Sequence, residues 1–126
     1  MSNKARILIV DDSMIIRKAI EDNLTDYNME IVGTAGNGVE AIKIFQKTNP
    51  DIVTLDITMP ELDGVEVLKK ILKIKPSIKV IIITGNSDQI TGIQCMSMGA
   101  KDFIAKPFAP EDLKKSFSKF LDKIEH

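Results

Sequence analysis

Ile52-Val53-Thr54-Leu55-Asp56 is a short apolar run closed by a carboxylate. It reads as a buried strand, and Asp56 stands at its carboxyl end. The next segment, Ile57-Thr58-Met59-Pro60-Glu61-Leu62-Asp63-Gly64, carries Pro and Asp-Gly turn signals and opens a helix. In open α/β sheets ligands gather in the crevice beyond the carboxyl ends of the strands. Asp56 is therefore a candidate nucleophile or metal ligand.

The same grammar repeats on either side. Ile7 to Val10 reads as a first strand, followed by a helix with Ile16, Ile20 and Leu24 at four-residue spacing. Met29 to Ala35 is a second strand. Gly36-Asn37-Gly38 makes a turn into a helix marked by Ala41, Ile42 and Phe45. After the third strand, Val65, Leu68 and Leu72 give a helix its apolar face. Val80 to Ile83 is a fourth strand, and a helix over Asp88 to Met98 carries Ile93 and Met96. Phe103 to Ala105 is a short fifth strand. Leu113, Phe117, Leu121 and Ile124 mark the last helix. Pro50, Pro76 and Pro110 are expected between elements, where a missing N–H does no harm. Five such βα repeats predict an α/β fold, a parallel sheet covered by helices on both faces. With 126 residues an eight-stranded barrel is excluded, and residues 1–126 read as one domain.

Composition narrows the classes of function. Seventeen Lys and Arg face 18 Asp and Glu, so no overall charge favours nucleic acid. No run approaches a membrane span, and the polar start does not read as a signal peptide. Cys95 has no second cysteine to pair with and reads as a small buried hydrophobe, as expected of a cytoplasmic protein. His126, the sole histidine, is the last residue, which leaves no buried histidine acid–base pair.

The strand ends together carry the chemistry. Strand one ends in Asp11-Asp12, strand three in Asp56, strand four in Thr84-Gly85 and strand five in Lys106-Pro107. Alone, Asp11-Asp12 would be a helix cap and Asp63-Gly64 a turn. Gathered in one crevice, three carboxylates repel one another unless a proton or cation intervenes. Mg²⁺ suits such a donor set, because it keeps waters while taking a few carboxylates and phosphate oxygens. An Asp carboxylate can also attack phosphorus and form an aspartyl phosphate.

Asp11-Asp12, Asp56 with Met59-Pro60 and Asp63-Gly64, Thr84-Gly85 and Lys106-Pro107-Phe108 resemble the receiver domains of bacterial two-component response regulators. The resemblance covers essentially the whole chain and is closest to stand-alone receivers of the chemotaxis CheY type, with no effector domain. It implies a (βα)5 flavodoxin-like fold with strand order 2-1-3-4-5. Asp56 would accept a phosphoryl group from a histidine kinase of the CheA type. Asp11, Asp12, Asp56 and the Thr58 carbonyl would serve Mg²⁺. Thr84 and Lys106 would hold the phosphoryl oxygens, and Phe103 would be a switch aromatic. Thr58 and Asn86 match positions that tune phosphoryl lifetime.

The resemblance further implies a monomeric phosphoacceptor switch and not a turnover enzyme, acting on a flagellar motor switch protein through the face of the fourth helix, fifth strand and fifth helix. A phosphatase would be a further partner; neither nucleic acid nor membrane is expected. A phosphorelay intermediate, handing its group to a phosphotransfer protein, keeps the same chemistry. A Mg²⁺-dependent aspartyl phosphatase fits less well, since Thr58 stands where that class places its second Asp. A flavin protein lacks its hydroxyl- and glycine-rich loop after strand one. Gly92, within the fourth helix, costs about 1 kcal/mol relative to Ala and is expected to keep that helix easy to shift.

Overall fold

The computed structural model describes residues 4–58, 64–85 and 89–124. Strands β1 (Ala5–Val10), β2 (Met29–Ala35), β3 (Ile52–Asp56), β4 (Lys79–Thr84) and β5 (Asp102–Ala105) alternate with helices α1 (Met14–Asp22), α2 (Gly38–Thr48), α3 (Gly64–Ile74), α4 (Gln89–Met98) and α5 (Pro110–Phe117). The strands pair in parallel in the order β2-β1-β3-β4-β5, as expected.

Side-chain alternation splits the core into two layers. Leu8, Val10, Val53, Leu55, Val80 and Ile82 face one side, where Phe45, Leu68, Ile71 and Cys95 cover them. Ile7, Ile9, Ile52, Ile81 and Ile83 face the other, under Ile20, Leu24, Leu113 and Phe117. Successive residues of the central strands are thus buried on opposite faces, which is why their sequences show no polar alternation. The site sits where these strands end.

Local signals set the helix ends. Ser13 caps α1 by accepting from the Ile16 N–H at 3.2 Å, and Asn37 caps α2 by accepting from Glu40 at 2.8 Å. Asn49 closes α2 with φ of 49°, a left-handed position that Asn tolerates.

Four expectations are corrected. The stripe through Ile124 is not one helix: α5 stops at Phe117, Leu121 is buried beyond it, and Ile124 is 43% exposed. The tail instead bonds to the turn before β2, with Asn28 N–H donating to Asp122 O and Ile124 N–H to Asp26 O, both at 2.8 Å. Ile93 is 59% exposed while Gly92 and Cys95 are buried, because apolar and polar residues are interspersed around α4 and its period selects no face. On α3 the fully buried residues are Val67, Leu68 and Ile71, with Val65 and Leu72 only flanking them. Pro110 lies inside the first turn of α5, not before it, where the absent N–H would have no partner in any case.

Tyr27 ties this corner together. Its ring meets Phe117 edge-on at 6.1 Å, and its hydroxyl lies 3.1 Å from Lys114 O and 2.9 Å from Ser118 Oγ. Tyr27→Phe keeps the ring and loses the hydroxyl, so it is expected to cost about 1 kcal/mol. Denaturant unfolding measures this; an unchanged midpoint would show that the hydroxyl contributes nothing.

Candidate functional site at the strand ends

β1 delivers Asp11, which is fully buried, followed by the exposed Asp12. The Asp11 N–H donates to Ala35 O at 3.0 Å, and Asp11 Oδ1 accepts from the Ser13 N–H at 2.9 Å. Arg17, one turn into α1, reaches back and donates from Nη1 to Asp11 O at 2.5 Å. Its guanidinium lies over Gly36, where a Cβ would come within 3.3 Å of it. Arg17 lies outside the strand-end residues that mark the site in the sequence. Its position four residues after the capping Ser13, on the turn that faces the strand end, is the signal that could have found it.

β3 delivers Asp56, 2% exposed. Its Oδ1 accepts from the Thr58 N–H at 2.9 Å, an Asx turn that aims Oδ2 into the crevice. The following backbone is fixed by Ile57 N–H donating to Ile83 O and Gly64 N–H donating to Ile57 O, each at 3.2 Å. β4 ends in buried Thr84, whose Oγ1 donates to Gly85 O at 3.1 Å. The Lys106 N–H donates to Thr84 O at 2.6 Å, and the Lys106–Pro107 bond is cis. The hydrogen bond from Lys106 to Thr84 ties the strand ends of β4 and β5 together.

Lys106 joins the charges. Its Nζ lies 3.0 Å from Asp11 Oδ2 and 3.4 Å from Asp56 Oδ2. The contact to Asp11 is an ion pair; the contact to Asp56 is both an ion pair and a hydrogen bond from the ammonium to the carboxylate. Burial works against the ammonium, but the two carboxylates outweigh it and hold the Lys106 pKa above its ordinary value. For Asp56, burial dominates and lifts the pKa from 3.8 to about 6. The Thr58 hydrogen bond opposes this, Asp11 adds to it and Lys106 opposes it.

Asp11, Asp12 and Asp56 each offer a carboxylate oxygen, with these atoms within 4.8 Å of one another. Such a group could hold a metal ion. Two of its carboxylates are buried and share a single ammonium, so a hard dication suits the donor set. Thr58 is exposed next to this group. Phe103 lies half-buried on β5, paired with Ile82 and packed against the core beneath α4. Met59-Pro60, Asp63 and Asn86 lie outside the described residues.

A five-stranded parallel sheet of this order, with carboxylates, a hydroxyl and a lysine on its strand ends, matches the receiver fold. The sequence profile of the response regulator receiver domain matches residues 7–118, and the chain belongs to that family. Within it, the chain is 42% identical over 114 residues to the chemotaxis protein CheY of Thermotoga maritima, covering 90% of this chain and 95% of that protein. It is 44% identical to CheY of Listeria monocytogenes, covering 90% and 96%. Among solved structures, the REC domain of AraT, a response regulator from Geobacillus stearothermophilus, superposes with a TM-score of 0.87 at 29% identity, covering 94% of this chain and 92% of that one. No helix among the described residues is long and apolar enough to cross a membrane.

Proposed function

We propose that the chain is a cytoplasmic phosphoacceptor switch of chemotaxis signalling, with Asp56 the acceptor. The observation that carries this is Lys106 held between the buried carboxylates of Asp11 and Asp56, with the Thr84 backbone carbonyl bonded beside it. Asp56 Oδ2 attacks the phosphorus of a phosphohistidine on the donor kinase; the oxygen–phosphorus bond forms as the phosphorus–nitrogen bond breaks. Asp11, Asp12, Asp56 and the Thr58 carbonyl would hold Mg²⁺, which when bound would supply charge neutralisation for the transferring group. Lys106 Nζ, 3.4 Å from Asp56 Oδ2, would hold a phosphoryl oxygen. Thr84 Oγ1 exchanges Gly85 O for a second oxygen. Exposed Met14 and Ile15, at the start of α1 beside Asp12, give the donor protein an apolar landing.

Output follows from the movement of Thr84. The space it leaves favours an inward Phe103, and the face of α4, β5 and α5 is read differently by its partner. That face carries exposed Ile90 and Ile93, and a groove of about 390 Å³ lined by Phe103, Ala105, Ser116 and Lys119. The partner proposed is the flagellar motor switch, bound by a monomer. Phosphoryl uptake from a small phosphodonor should require Mg²⁺ and vanish in EDTA. Uptake that is insensitive to EDTA would remove the metal from the account. Phosphorylation-dependent binding to a motor-switch peptide supports the motor role, whereas rapid transfer to a phosphotransfer protein without such binding would make the chain a relay.

A further inference from the structure

Gly92 is buried on α4, against two of the switch residues at once. A Cβ at this position would lie 3.2 Å from Phe103 Cδ2, 3.5 Å from Phe103 Cγ and 3.6 Å from Thr84 Cγ2. The first distance is inside the optimal separation of two carbons, about 3.5–4.0 Å; the last is ordinary contact. Helix propensity argues against glycine here, so the close approach of the ring is what the missing side chain permits.

We infer that Gly92 is a positioning residue: it is the seat of the Phe103 ring, and it lets the ring follow Thr84 inward beneath α4. The inference rests on the switch proposed above. A side chain at 92 would crowd Phe103 Cδ2 directly, an effect separate from any loosening of the helix by glycine. The observed ring already touches the point on α4 that the Thr84 methyl flanks, so an alanine methyl there narrows the path by which the ring would follow Thr84 inward. Gly92→Ala therefore disfavours the inward ring, and by reciprocity weakens whatever favours the inward state.

The probe is beryllofluoride with Mg²⁺, which stands in for the phosphoryl group. It is titrated into wild type, Gly92→Ala, Phe103→Ala and the double variant. A parallel set labelled with fluorophenylalanine reports the ring by ¹⁹F NMR, with the Phe103 signal assigned by its loss in Phe103→Ala. The expected result is a moved Phe103 signal and at least about fivefold weaker beryllofluoride binding in Gly92→Ala, with that loss absent when Phe103 is already Ala. An unmoved signal, or an equal loss in the Phe103→Ala background, would overturn the inference. A wild type that binds no beryllofluoride would instead remove the phosphoacceptor reading. The ¹⁹F signal and the non-additivity of the melting temperatures would then still decide whether Gly92 seats the ring.

Discussion

Asp56→Asn is expected to make the metal-free protein more stable at neutral pH, by up to about 3 kcal/mol. The cost lies in the wild type. Asp56 is almost fully buried, and burial lifts its pKa from 3.8 to about 6 against the Thr58 hydrogen bond that favours the anion. The native state therefore holds this proton more tightly than the unfolded chain does. On that account wild-type stability falls as pH rises from about 4 to above 6, and stays level beyond. Asparagine fills the same space, can still accept from Thr58 and has no charge to desolvate. Lys106 keeps Asp11 as its partner. Denaturant unfolding in EDTA at a series of pH values measures this. The gain of Asp56→Asn over wild type should be largest above pH 6 and shrink towards zero near pH 4. A gain that ignores pH, or a less stable variant, would contradict the assignment of the cost to a buried carboxylate. The same cost explains why a cation is welcome there.

Gly64→Ala is expected to be strongly destabilising, by about 3 kcal/mol or more. A Cβ on Gly64 would come within 2.2 Å of Ile57 Cα and 2.6 Å of Asp56 O. These are backbone atoms and cannot rotate away. The start of α3 would have to retreat from the peptide that carries Asp56, breaking the bond from Gly64 N–H to Ile57 O. Acceptance of phosphate should therefore fall together with stability. Gly36→Ala is the matched control: its Cβ meets only the movable end of Arg17 at 3.3 Å, and less than about 1 kcal/mol is expected. Thermal and denaturant unfolding of both variants decide the matter. A Gly64→Ala protein within 1 kcal/mol of wild type would show that α3 is free to move away.

The central strands were readable because burial on both faces leaves uninterrupted apolar runs, as in Ile7 to Val10 and Val80 to Ile83. Strand order rests on the family resemblance, since apolar runs carry no information about neighbours. Periodicity failed on α4, where apolar and polar residues are interspersed around the helix and Ile93 lies in solvent. It failed again at Leu121 and Ile124, where an antiparallel bridge from Lys123 to Tyr27 replaced the helix. In the candidate site, residue types and chain order were legible from the strand ends. Burial of Asp11 and exposure of Asp12 were not, because a two-residue pair at a strand end does not say which carboxylate turns inward. Nor was Arg17, whose role depends on a backbone carbonyl six residues earlier. Gly92 stands out in the sequence by its helix propensity, but its contact with Phe103 is tertiary and has no local signature.

The most direct measurement is intact mass and peptide mapping after incubation with a small phosphodonor and Mg²⁺. The account predicts a gain of one phosphoryl group, carried by the peptide containing Asp56 and absent from Asp56→Asn. No gain in the wild type, or an equal gain in Asp56→Asn, would contradict it.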